Sequence, residues 1–170
     1  FTGNTASHVG GGMRSSLSDA SLTDCTFTNN SADLSGGAIW LTESDPNISN
    51  CTFAGNTAIK YFGGGILCNL SSPEIIGCTF SGNVADIGGG ILCNNSSSPT
   101  ISHCLITENT ALSYGGGVHI SVSSNPWIGS TTICNNEPDQ LTMAGTYEDG
   151  GENHIDAICP VDCDGDFNGD

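Results

Sequence analysis

Cys51-Thr-Phe-Ala-Gly-Asn-Thr-Ala58, followed by Gly63-Gly-Gly-Ile-Leu-Cys68 and then Ser72-Pro73, decides the fold of this chain. The block returns along most of the sequence. Its Phe position falls at Phe1, Phe27, Phe53, Phe80, Ile106 and Ile133, in steps of 26, 26, 27, 26 and 27 residues. An Asn stands three residues later each time, at Asn4, Asn30, Asn56, Asn83, Asn109 and Asn136. Glycine clusters recur at Gly10–Gly12, Gly36–Gly37, Gly63–Gly65, Gly88–Gly90 and Gly115–Gly117, and turn prolines at Pro46, Pro73, Pro99 and Pro126. Fixed-period self-similarity of this kind is the signature of a repeat architecture.

Each block holds three short apolar stretches separated by Gly, Asn, Ser and Pro. No stretch is long enough for a helix. Three short strands per repeat fit one coil of a right-handed, three-sided parallel β-helix, an all-β solenoid of about five coils of 26–27 residues. Each strand then pairs with its equivalent one coil away, at ~4.8 Å. Alternation along a strand assigns the inner columns. Cys25, Cys51, Cys78 and Cys104 form one, beside the Phe column. Ile39, Ile66, Ile91 and Val118 form another, with Leu41, Cys68, Cys93 and Ile120 next to it. Leu22, Ile48, Ile75, Ile101 and Ile128 come from the third face. No coil buries its face alone, so stability must come from stacking. The Asn column Asn30, Asn56, Asn83, Asn109 and Asn136 is expected to be structural. Asn tolerates a left-handed bend, and stacked amides can bond from coil to coil.

The composition narrows function. Of 170 residues, 24 are Gly and only 12% are charged, yet the formal net charge is −16. Arg14 and Lys60 are the only strong bases. Nucleic acid is excluded as a partner because phosphate contacts need Lys and Arg. Without a run of about 18 apolar residues, no membrane insertion by a helix is expected. The acid is uneven: residues 1–136 carry eight acids and both bases, while residues 137–170 carry ten acids and no base. The expected division is therefore coils over 1–136, a closing coil over 137–158 and an acidic linker over 159–170. Phe1 falls in mid-repeat, which predicts further chain before it.

Two motifs carry a family resemblance. Phe27-Thr-Asn-Asn30 with Gly36-Gly-Ala-Ile39, and Phe53-Ala-Gly-Asn56 with Gly64-Gly-Ile66, resemble the polymorphic outer-membrane protein repeats of bacterial autotransporter-like adhesins. The resemblance covers about residues 1–136. It implies an exported β-helix, secreted or on the cell surface. Further on, Asp149-Gly-Gly-Glu-Asn153-His-Ile155 resembles the closing coil of large secreted bacterial β-helix proteins. Asp166-x-Asn168-x-Asp170 resembles the opening of a dockerin-like or EF-hand-like calcium loop, in which alternate positions supply oxygens. Asp162, Asp164, Asp166, Asn168 and Asp170 are the candidate calcium ligands, and calcium is the expected cofactor.

Nine cysteines suggest a secreted chain. Parallel neighbours hold their Cβ atoms at ~4.8 Å, beyond the ~3.8 Å a disulfide favours. The column cysteines are therefore expected as buried free thiols. Cys134 follows the last residue of the Phe column, should point outward, and is the candidate to bond Cys159, with Cys163 left over.

The candidate catalytic groups do not converge. Arg14 and Lys60 are two coils apart. Asp33 and Asp86 share a register, but two coils (~10 Å) apart and with Ile59 between them. His8, His103, His119 and His154 share no register. No enzyme activity is expected from these residues. The outward column Trp40, Leu67 and Leu92 reads as an exposed apolar patch and candidate interface. The resulting expectation is an extracellular structural or adhesive module, a stalk, surface or fibre component acting by self-association or surface binding. Its expected partners are further copies of itself in an oligomer or fibre, or cell-surface glycans. The alternative is a polysaccharide-binding or polysaccharide-cleaving β-helix whose site lies partly outside this sequence.

Overall fold

The computed structural model describes residues 1–159. Among them there is no helix; every regular element is a short strand. All pairings between coils are parallel. The strands of the Phe face, Thr26–Thr28, Thr52–Ala54, Thr79–Ser81, Leu105–Thr107, Thr132–Cys134 and His154–Asp156, stack in that order. Their register is strict: Phe27 sits on Phe53, Phe53 on Phe80, Phe80 on Ile106, Ile106 on Ile133 and Ile133 on Ile155. A second six-stranded sheet runs from Met13–Ser16 through Ile66–Asn69 to Leu141–Met143. A third runs from Leu22–Thr23 through Glu74–Ile76 to Glu148–Asp149.

Two features differ in detail from the sequence expectation. Six turns are stacked rather than about five. The segment expected to close the solenoid supplies a full set of strands, Leu141–Met143, Glu148–Asp149 and His154–Asp156, each paired in parallel to the coil above. A fourth, narrower sheet also exists. It is built from the two to five residues after each Asn: Thr5–Ala6, Ser31–Ala32, Thr57–Ala58, Val84–Ile87 and Thr110–Tyr114. These strands were too short to register as apolar stretches in the sequence.

The assigned inner columns are the core. Phe27, Phe53, Phe80, Ile66, Ile75, Ile91 and Ile101 are fully buried. The rings of Phe1, Phe27, Phe53 and Phe80 stack nearly parallel, with centroids 4.4, 5.1 and 4.6 Å apart in turn. Each such side chain contributes roughly 1.5–3 kcal/mol on burial.

The turns explain two sequence columns. The first glycine of each cluster takes a left-handed backbone, as at Gly36 (φ 67°), Gly63 (φ 66°) and Gly88 (φ 68°), which L side chains resist. The next glycine is required for a different reason. Coils approach so closely there that a Cβ on Gly64 would stand 2.7 Å from the Val84 backbone and closer still to the Gly89 carbonyl. The Asn expectation needs one correction. The ladder asparagines do not occupy the left-handed bend. The residue before each one does: Asn29 (φ 54°), Gly55 (φ 64°), Gly82 (φ 62°), Glu108 (φ 57°) and Asn135 (φ 53°). That bend turns the following Asn side chain inward.

Candidate functional site

The Asn column is a continuous hydrogen-bonded ladder. Nδ2 of Asn30 donates to Oδ1 of Asn56 (3.0 Å), Asn56 to Asn83 (2.9 Å), Asn83 to Asn109 (2.8 Å) and Asn109 to Asn136 (3.0 Å). Each Oδ1 also accepts the backbone N–H of the Asn one coil earlier, as Asn83 does from Asn56 at 3.0 Å. The second amide hydrogen goes to a Phe-column carbonyl; Asn83 uses Phe53 (2.9 Å). With both amide ends satisfied and the side chains buried, these residues have no capacity left for a ligand. Gln140 was not foreseen. Its Oε1 accepts from both the backbone and the side chain of Asn136 (2.9 Å each), taking the place of the next rung. The only sequence signal was its place four residues after the last Asn. A buried serine ladder was also missed: the N–H of Ser18, Ser44 and Ser71 donates to the hydroxyl of Ser44, Ser71 and Ser97 at 3.1, 3.1 and 3.0 Å.

Cys51, Cys68, Cys78, Cys93 and Cys104 are buried free thiols, and Cys25 is half-buried. Burial pushes the Cys51 thiol up to about 11 and the Cys93 thiol up to about 12, and raises Cys68 well above its ordinary 9.0. Cys51, Cys68 and Cys93 are protonated apolar fillers and not nucleophiles. Two outcomes follow. At pH 8 a thiol reagent will label Cys25 in the folded protein and spare the five buried thiols, reaching them only in denaturant; labelling mapped peptide by peptide by mass spectrometry, with the Cys163 peptide set aside, checks this. The unfolded thiols ionise near 9.0, while Cys51 and Cys93 hold their protons to about 11 and 12. The folded state therefore binds more protons in that window. Stability is intact below pH 9 and falls as pH rises through it, which denaturant midpoints taken between pH 8 and 11 will measure.

Cys134 and Cys159 are bonded to each other, with Cα atoms 4.9 Å apart. Cys134 points outward from its strand and is buried under Cys159. The bond closes a loop with a sequence separation of 25. Chain entropy gives such a loop about 3 kcal/mol. Cys134→Ser will lower stability by about 2–3 kcal/mol and raise amide exchange first in His154–Asp156. Unchanged exchange there would show that the cap holds without the bond. The calcium candidates Asp162, Asp164, Asp166, Asn168 and Asp170, like Cys163, lie outside the described residues. Among the described residues, no three His, Cys, Asp or Glu side chains gather where they could hold a metal ion.

The proposed apolar patch is corrected. Trp40, Leu67 and Leu92 pair side by side as expected, but Leu67 is 1% exposed, Leu92 2%, and Trp40 half-buried. The segments that run from the fourth sheet into the glycine turns are placed to cover them. After Val84–Ile87 or Thr110–Tyr114 the glycine turn folds back, so that Tyr114 lies beside His119, ring centroids 6.4 Å apart. Phe62 pairs with Ile87 and Ile87 with Tyr114, which places them five residues before Leu67, Leu92 and His119 in the same relation. A small second apolar layer thus sits outside the main core. His119 belongs to it, and burial pulls its pKa below the ordinary 6.5.

Two outer features remain. One is a groove of about 390 Å³ at the corner between the third and Phe faces, lined by Gly77, Thr79, His103, Ser130 and Thr132 with Cys78 and Cys104 at its base. Both thiols donate to backbone carbonyls, Cys78 to Ile76 (3.4 Å) and Cys104 to Ser102 (3.2 Å), so they offer nothing to a ligand. The other is the outside of the fourth sheet. Ile59 (55% exposed) and Tyr61 (49%) follow its strand Thr57–Ala58 in a bend, and Leu112 (76%) and Tyr114 (55%) lie in its strand Thr110–Tyr114. Lys60 stands there too, and half-buried Asp86 accepts from the Ser113 hydroxyl at 2.6 Å.

The family model described as "Right handed beta helix region" matches residues 1–156. No curated protein and no solved structure matches the chain.

Proposed function

Because this chain belongs to the right-handed β-helix family, we propose that it is an extracellular structural and adhesive module, a short rigid rod that binds a surface through one outer face and performs no chemistry. The observation that carries this is the fourth-sheet face. Four large side chains, Ile59, Tyr61, Leu112 and Tyr114, are each exposed in the segments between ladder Asn and glycine cluster of two coils, on a scaffold whose inner positions are closed by stacked rings and ladders. A patch of this kind on a rigid sheet is a common mark of a binding surface. Secretion or surface display fits a chain of net charge −16 whose calcium-loop-like tail would find its cation outside the cell. The surface in view is a glycan-bearing one. Self-association into fibres is the less favoured mode, since the column Trp40, Leu67 and Leu92 is covered. A cleaving enzyme is disfavoured because Asp33 and Asp86 are separated by the intervening coil with Ile59.

The test is negative-stain electron microscopy of the purified protein together with co-sedimentation on insoluble cell-wall polysaccharide, each with calcium and with a chelator. The expected outcome is single short rods that pellet with the polysaccharide and release no sugar. Ordered fibres would replace surface binding by self-assembly. Release of reducing ends would make the protein an enzyme. Pelleting abolished by the chelator would bring the Asp162–Asp170 segment into the binding mechanism.

A further inference from the structure

The outward column of the second sheet reads, in register, Arg14, Trp40, Leu67, Leu92, His119 and Thr142. His119 stands where the two coils before it have leucine. The glycine turn of each coil presses on this column. A Cβ on Gly63, Gly88 or Gly115 would stand 2.9, 2.8 and 2.8 Å from the Cβ of Leu67, Leu92 and His119 in turn. The histidine is thus held under its turn as the leucines are, and its Nδ1 is buried with no hydrogen-bond partner. The strand that leads into this turn is an edge. Thr110–Tyr114 ends the fourth sheet and pairs with Val84–Ile87 on one side. On the other side, among the described residues, it has the bridge from Thr110 to Glu137 and the bond from the Ala111 N–H to the Glu137 carbonyl (2.7 Å). Leu112, Ser113 and Tyr114 are exposed.

We propose that His119 is an acid-sensitive latch: neutral, it seats the edge strand Thr110–Tyr114 and its glycine turn on the second sheet; protonated, it releases them and opens the outer layer of that coil. The chemistry follows from the ring. Neutral imidazole can leave Nδ1 bare, whereas imidazolium carries a proton on both nitrogens. The cation therefore places an N–H where no acceptor exists and a charge in an apolar layer, and both are costly. No anion packed against the ring offsets that cost. Ile91–Asn94 brings Leu92, and its Cys93 is an inner thiol. Leu141–Met143 brings Thr142, whose hydroxyl donates to Asp139 (3.0 Å). Asp139 and Glu137, in the run before that strand, are exposed, and neither partners Nδ1. The edge strand brings Tyr114, whose ring is tilted by 35° with centroids 6.4 Å apart, outside the face-on approach that holds a cation. Burial accordingly keeps the closed-state pKa below the 6.5 that an exposed ring regains on opening. The closed state binds fewer protons, so it is intact above pH 6.5 and loses ground as pH falls below that value.

Amide hydrogen exchange of the whole chain, read by mass spectrometry at pH 8 and pH 5 and corrected for intrinsic rates, tests this. Protection across residues 112–117 should fall several-fold in acid, by at most about tenfold per pH unit, the limit for a single proton. Ile66–Asn69 and Ile91–Asn94 should keep theirs. His119→Leu, which installs the residue of the two preceding coils, and His119→Gln should both lose the pH dependence. His154→Gln removes the other histidine with a buried, unpartnered ring nitrogen; it and Asp139→Asn should leave the acid response in place. A ring-proton NMR titration of the wild type should find His119 protonating below pH 6.5, in step with the loss of protection. Equal protection at the two pH values overturns the latch, and so does an acid response that survives in both His119 variants. A response abolished by Asp139→Asn or His154→Gln overturns the assignment to His119, and loss of protection in all coils together would be global unfolding and overturns the latch as a local device.

Discussion

Asn83→Ala will lower the unfolding free energy by about 3–5 kcal/mol, a drop out of proportion to the few atoms removed. The Asn83 side chain is fully buried and makes four hydrogen bonds. Truncation leaves the Asn56 N–H in the interior with no acceptor, because Asn83 Oδ1 was its partner. It also strips a donor from the Phe53 carbonyl and from Asn109 Oδ1. Each buried group left unsatisfied costs about 1–3 kcal/mol. For a chain of this size that is a fall of roughly 10 °C or more in Tm. Asn47→Ala is the control. Its side chain donates to Glu74 at the exposed edge (2.7 Å), and its loss should cost under about 1 kcal/mol. Asn83→Asp separates shape from hydrogen bonding. A carboxylate keeps the acceptor for Asn56 but turns a second acceptor toward the Phe53 carbonyl and Asn109 Oδ1. Its folded pKa must then rise above the ordinary ~3.9. The variant will be weak at pH 7 and regain stability as pH falls toward that value. Equal losses at Asn83 and Asn47 would remove the ladder from the account of stability.

Gly64→Ala is the second large effect, for a steric reason. The new Cβ meets the Val84 backbone at 2.7 Å and the Gly89 carbonyl closer still. No flexible side chain is there to give way, so two coils must part. The expected loss is at least about 3 kcal/mol, and Gly64→Val should not fold. Gly82 distinguishes this from a general glycine effect. It has a left-handed backbone (φ 62°) but nothing nearer than the Gly55 nitrogen at 3.9 Å. Gly82→Ala should therefore cost about 1 kcal/mol for backbone strain alone, and Gly82→Asn close to nothing. Denaturant melts of the four variants check the ranking. Gly64→Ala behaving like Gly82→Ala would mean that the coils can yield.

These contrasts mark where the sequence was transparent. Phe53, Ile66 and Ile75 could be placed because the repeat samples the same environment several times, so that alternation and period agreed at each step. Leu67 and Leu92 could not. Alternation within their own strand points them outward, correctly, but says nothing of what another part of the coil lays over them. Here Phe62 and Ile87 precede them by five residues, across a glycine turn from strands too short to be noticed. Gln140 occurs once, so no column announced it. The register shift of the fourth sheet between Ala85 and Ile87 was legible in principle, in the seven, five and six residues between Asn and glycine cluster. Following only the Phe step, which varies by a single residue, hides that variation. The acidic residues beyond Cys159 carried a motif and no repeat, and their reading rests on the motif alone.

The Asn ladder has a direction. Every rung donates toward the C-terminal neighbour and accepts from the N-terminal one, until Gln140 closes the series. Any two consecutive rungs are thus interchangeable with any other two. Duplicating a whole 26- or 27-residue repeat would insert a coil whose bonds are already specified, while a partial insertion would break all four sheets at once. The molecule is in that sense a ruler marked in steps of ~4.8 Å. Its reach can be lengthened or shortened by whole-repeat duplication or loss without redesigning any contact, and distances between attachment points along it come only in multiples of one step.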